Sequence, residues 1–133
     1  MRQRISINQL NELTDEQKER LRKWWKNGKV HFGDLVYTRC NCSPPDPRNV
    51  VSVWSYDEQE IEFYNAERYG YSLYKDCLPL LSVGQCIELL GHKLQKIEYD
   101  FFINNYYVSV LNIGTNGKTE LIDALFAAVK EAL

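Results

Sequence analysis

Hydrophobic and polar positions along the chain change period several times, and each change marks an element. Placed at 100° steps, Gln17, Leu21, Trp24 and Trp25 share one face of a helix over Asp15–Lys26. Glu16, Glu19, Arg20, Arg22, Lys23 and Lys26 take the other face. Ser6 with Gln9, and Thr14 with Gln17, fit the S/T-x-x-E/Q capping box. Asn27-Gly28 can close the helix with a left-handed cap. The period then falls to two. Val30 and Phe32 alternate with polar residues, Gly33-Asp34 can turn or bulge, and β-formers continue to Thr38. Residues 40–49 hold three of the four prolines and predict a loop. Residues 50–56 and 59–65 predict a hairpin, with Val51/Val53 and Ile61/Phe63 as its apolar alternation. A three-residue loop at 57–59 would put both pairs on one face, whereas a two-residue loop would bring Trp54 beside Ile61.

A short helix follows Pro79. Ser82 and Gln85 form a third capping box, with Leu81 and Cys86 as a hydrophobic staple. Val83, Cys86, Ile87 and Leu90 share a face, and Gly91 serves as the C-terminal glycine. Ile97, Tyr99, Phe101 and Ile103 then alternate with Glu98, Asp100 and Phe102. Asn104-Asn105 is a two-residue turn candidate, and residues 106–113 return as the partner strand. Asn116-Gly117 predicts a further turn, with Thr119 capping a closing helix over 120–132. The broad apolar face of that helix carries Leu121, Ile122, Leu125, Phe126, Ala128, Val129 and Ala132. The order is α-β-β-β-α-β-β-α. Short turns between consecutive strands imply antiparallel pairing, so the expected class is α+β. We expect one domain over 1–133, with a mainly antiparallel sheet of about five strands and N-terminal, middle and C-terminal helices.

Composition sets limits. At 133 residues, with 44% hydrophobic and 26% charged side chains, the chain is globular. No apolar run approaches the roughly 20 residues of a membrane span, and no leader pattern opens the sequence. The net charge is −2, but residues 1–29 carry eight Lys/Arg against four Asp/Glu. Within that stretch, residues 18–29 with Trp24-Trp25 resemble a nucleic-acid patch. Glu16 with Arg20 and Glu19 with Lys23 stand at the self-pairing i,i+4 spacing, and the tryptophans fall toward the apolar face. A solvated helix over a core anchor is therefore the preferred reading, and nucleic acid is disfavoured.

Few residues offer chemistry. Gly114-Thr115-Asn116-Gly117-Lys118-Thr119 ends like a phosphate loop. However, Asn112 stands where the first glycine belongs, and no later strand remains to supply a magnesium ligand. A looser nucleotide contact through Lys118 and Thr119 stays open. Cys40, Cys42, Cys77 and Cys86 lack paired zinc-knuckle spacing. We expect free thiols, no metal and no cofactor. Glu60/Glu62 and Glu98/Asp100 match half-exposed strands better than a catalytic carboxylate pair, so no catalytic residue is assigned. The densest candidate is the loop with Arg68, Tyr69, Tyr71 and Tyr74, residue types that interfaces favour.

Three segments carry a resemblance. They are Leu78-Pro79-Leu80-Leu81-Ser82-Val83-Gly84-Gln85-Cys86-Ile87-Glu88-Leu89-Leu90, the closing run from Glu120 to Lys130, and the opening run from Leu13 to Trp25. Together they resemble small uncharacterised proteins of Firmicute bacteria and their phages. The resemblance implies a mobile-element origin and cytoplasmic residence, and carries no catalytic residue. The expected function is that of a non-enzymatic accessory protein binding a host or viral macromolecule. Arg68, Tyr69, Tyr71 and Tyr74, or the face of the last helix, would form the surface. If that helix face is uncovered, it would form a homodimer. The alternative is a small-ligand, nucleotide-like binding or sequestering protein using Lys118, Thr119 and nearby tyrosines.

Overall fold

A computed structural model describes residues 2–37, 50–56, 61–63, 77–112 and 114–133. The class is α+β, and every sheet pairing is antiparallel. Instead of one sheet of about five strands, seven strands divide between a four-stranded and a three-stranded sheet. They belong to two compact units, Ser6–Leu80 and Leu81–Leu133, the latter joined by residues 2–5.

In the unit Ser6–Leu80, both capping boxes form. Helix α1 (Ile7–Asn11) starts where the Ser6 hydroxyl accepts from the Gln9 amide. Helix α2 (Asp15–Lys26) starts where the Thr14 hydroxyl accepts from the Gln17 amide. The Gln17 side chain accepts in return from the Thr14 amide at 2.9 Å. Leu21 and Trp25 are buried, and Trp24 packs against their side of the core. Arg20 pairs with Glu16 on the solvated face, and Glu19 pairs with Arg22, three residues on, where sequence spacing pointed to Lys23. The Arg22 side chain, expected on the solvated face, is largely buried. Gly28 takes φ +78° just past the helix end, a conformation that suits a residue without Cβ.

Residues 30–34 do not form the expected strand. Val30 is buried, but Phe32 faces solvent, and Gly33 at φ +84° turns the chain. Asp34 is the reason. Its buried carboxylate accepts from the Trp25 indole Nε1 at 3.0 Å and from the His31 amide at 2.9 Å, so the segment folds back onto α2. Strands β1 (Leu35–Tyr37), β2 (Val50–Tyr56), β3 (Ile61–Phe63) and β4 (Leu78–Pro79) follow, in the order β3-β2-β1-β4. Pro79 sits on the edge strand, where its missing donor is tolerated. Tyr56 stands opposite Ile61, and a bulge between Val53 and Ser55 brings Val53 opposite Phe63. The bulge thus restores the pairing that a three-residue loop would have given, and Trp54 is the extra residue. The loop at 57–59 lies outside the described residues.

In the second unit, residues 2–5 run beside the start of helix α3 (Val83–Leu90). Ile5 N–H donates to the Leu81 carbonyl, and Val83 N–H donates to the Gln3 carbonyl. Ser82 and Gln85 form the capping box, and Leu81, Cys86 and Leu90 are buried, but Ile87 turns to solvent. Gly91 closes the helix at φ +56° and opens a 3₁₀ turn, Gly91–Lys93. Strands β5 (Leu94–Asp100), β6 (Asn105–Val110) and β7 (Gly114–Lys118) form the sheet β5-β6-β7. Helix α4 (Leu121–Ala132) packs on β6, β7 and α3, burying Ile122, Leu125, Phe126 and Val129.

Three sequence expectations change here. The hairpin turn is 101–104 and not Asn104-Asn105, because Asp100 pairs directly with Asn105. Asn116-Gly117 is not a turn. Both residues lie inside β7, and the chain reverses just before it, where Asn112 takes φ +65°. Thr119 does not cap the last helix. The capping position is Glu120, without a side-chain cap. For Asn116-Gly117 the ladder with β6 satisfies backbone groups that a local turn would leave unpaired.

A candidate binding surface on the β5–β6 hairpin

The hairpin presents an apolar tip on a polar frame. Asp100 Oδ1 accepts from the Phe102 amide at 2.9 Å, an Asx turn that bends the chain immediately after β5. Asn104 closes the turn at φ +52°, and its Oδ1 accepts from the Tyr99 hydroxyl at 3.0 Å. Asparagine tolerates this left-handed conformation better than most residues. Between these anchors, Phe101 is 80% exposed, Phe102 98% and Ile103 54%. The rings are not randomly placed. Tyr99 meets Phe101 edge-to-face at 4.9 Å and 87°, and it meets Tyr106 across the strands at 4.7 Å.

The sheet has two unlike faces. Tyr106, Val108 and Val110 share the face covered by α4, on which Val108 and Val110 are buried. Tyr107 and Ser109 share the opposite face with their register partners Glu98 and Lys96. That face forms an open groove of about 720 Å³ running up to Phe101 and Phe102. Gly117 lies opposite Tyr107. A Cβ there would come within 2.6 Å of the Tyr107 ring, so the bare glycine lets the ring lie across β7. Lys96 and Glu98 form an ion pair along β5. The groove therefore offers carboxylates, an ammonium group, a phenol and an aromatic lip, which is a recognition surface of mixed polarity.

The residues proposed from sequence distribute differently. Lys118 ends β7 opposite Tyr106, which puts it on the other sheet face from Tyr107, and Thr119 is exposed just beyond. The backbone of 114–118 is committed to β6 and does not form a phosphate cradle. The apolar face of α4 is covered within its own unit, so it offers no docking surface and no dimer seam. Arg68, Tyr69, Tyr71 and Tyr74 lie outside the described residues, as do Cys40 and Cys42. Cys77 and Cys86 are buried, and Cys86 is a free thiol. Burial pushes the Cys86 thiol up to about 12, which keeps it protonated and unreactive at neutral pH.

The tip was missed from sequence because Phe101 and Ile103 continue the alternation of β5. The overlooked signal was Phe102. An apolar residue in the polar register, following an aspartate that can accept from the amide two residues on, marks a turn. Among the described residues, no helix is long and apolar enough to cross a membrane, and no group of three His, Cys, Asp or Glu is placed to hold a metal ion. The sequence matches no family model, no curated protein and no solved structure. The candidate surface therefore rests on its own geometry.

Proposed function

We propose that this chain is a non-enzymatic binding protein of the accessory kind that its phage-like segments imply, and that it engages another protein through the β5–β6 hairpin tip. One observation carries the reading: Phe101, Phe102 and Ile103 project into solvent from a turn held by Asp100, Asn104 and Tyr99. Contiguous exposed apolar surface is uncommon on monomers and marks interaction sites. A turn already ordered loses little conformational entropy on binding. The complementary partner offers an apolar pocket with a basic rim, since Glu98 and Asp100 flank the rings. We place the protein in the cytoplasm, where a free thiol such as Cys86 persists. In the nucleotide-like alternative Lys118 and Thr119 would act without a phosphate-cradling loop, because 114–118 is a paired strand, so the hairpin reading is preferred.

The test is site-specific crosslinking. A photoreactive phenylalanine analogue at position 102 should trap one discrete protein, and the adduct should vanish with Phe101→Ser. Failure of position 102 to trap any protein, in lysate from the native host, would overturn the reading.

A further inference from the structure

We infer that β5 pairs with β5 of a second copy of this chain, giving an isologous dimer with one continuous six-stranded sheet. This does not rest on the tip-binding reading: Glu98 and Tyr99 border both surfaces, but the seam is formed by the edge of β5 and not by Phe101, Phe102 and Ile103. Strand β5 is the terminal strand of its sheet, pairs only with β6 among the described residues, and is exposed along residues 95–99. Beyond the bulge at Gln95, the regular edge over residues 96–100 is a template for another strand unless it is guarded. A lone lysine is a common guard, since a copy of the strand would meet like charge.

Here the charge pattern favours self-pairing. Lys96 and Glu98 stand two apart on one face, with Ile97 between them on the other. In an antiparallel pair with its two-fold axis at Ile97, Lys96 faces Glu98 of the copy, and Glu98 faces Lys96 of the copy. Ile97 meets its own counterpart on the opposite face. Gln95, the extra residue of the bulge between Leu94 and Lys96, ends the regular pairing on that side. Ile97 and Tyr99 are both more than a third exposed in the single chain, so they gain cover by this pairing. Both aromatic tips remain outside the seam. At about 3.4 Å per residue, the three steps from Ile97 to Asp100 place the two ends of β5 about 20 Å apart, with an aromatic tip beyond each, on opposite ends of the dimer. So short an edge buries less than the roughly 800 Å² per partner of a standard interface, so the dimer should be reversible and concentration-dependent.

Sedimentation equilibrium from low micromolar to near-millimolar protein tests this with charge swaps. Wild type should move from monomer to dimer. Lys96→Glu and Glu98→Lys should each weaken self-association about tenfold or more, because every register pair then becomes a like-charge pair. An equimolar mixture of the two variants should restore the dimer, since each then meets its opposite. The double swap K96E/E98K should also dimerise. Circular dichroism of each variant checks that it is folded, and the rescue in the mixture separates pairing from misfolding. A wild type that stays monomeric throughout, single variants that associate like wild type, or a mixture that stays monomeric would each overturn the inference.

Discussion

Replacing Phe102 with serine should leave the fold almost untouched while abolishing partner binding. Fully burying a phenylalanine side chain stabilises a protein by about 1.5–3 kcal/mol. With 98% of Phe102 in water, almost none of that is realised in the folded chain, and the expected stability change lies within about 0.5 kcal/mol. Phe101 differs slightly. Its edge-to-face contact with Tyr99 belongs to a class worth about 0.5–1.5 kcal/mol, and at 80% exposure the lower end applies. The internal standard is Phe126→Ala, in the covered face of α4, which should lose about 3–5 kcal/mol. Urea unfolding followed by far-ultraviolet circular dichroism is the appropriate assay. Tryptophan fluorescence alone would be blind to this region, because Trp24, Trp25 and Trp54 all belong to the other compact unit. A loss above about 1 kcal/mol for Phe102→Ser would refute the reasoning. It would mean that the ring is buried in solution and that the tip stabilises the fold instead of serving as a recognition element.

Two further outcomes follow from buried polar and titratable groups. Asp34→Ala removes the acceptor shared by the Trp25 indole and the His31 amide, and should cost about 3 kcal/mol. Asp34→Asn, which keeps one oxygen, should cost less. Loss of the shifted Trp25 indole N–H resonance reports the same event, and a cost below about 1 kcal/mol would contradict the assignment. For Cys86, the folded thiol holds its proton up to about pH 12 while the unfolded thiol releases it near 9, so the folded state binds more protons between those values. Its contribution is constant below pH 9 and is lost as pH rises toward 12, by up to about 1.4 kcal/mol per pH unit. Urea midpoints measured on both sides of pH 9 should fall more steeply in wild type than in Cys86→Ala, and equal slopes would dispose of this account.

The face of the last helix drops out as a binding surface and the β5–β6 hairpin enters, while Arg68, Tyr69, Tyr71 and Tyr74 lie outside the described residues. The reason is local. The apolar stripe of α4 was correctly read as a face that must be buried, but only the packed structure shows that β6, β7 and α3 bury it. The three apolar residues of the hairpin tip, by contrast, read in sequence as the continuation of a strand.

The elements legible in the chain alone are the helix starts and the helical stripe, which near neighbours govern. Ser6, Thr14 and Ser82 each start a helix because a hydroxyl three residues before a glutamine satisfies orphan amides wherever the rest of the chain goes. The 3.6-residue stripe of α2 placed Leu21 and Trp25 inward for the same reason. Tertiary structure alone decided the rest. Asp34 reaches back nine residues to Trp25, and that bond turns an apparent strand into a loop. β6 offers a partner to Gly114–Lys118, and the ladder overrides an Asn-Gly turn signal. A bulge near Trp54 resets the register of a hairpin whose loop length was ambiguous. These choices depend on which distant backbone and side-chain groups become available as partners, and local pattern does not encode that.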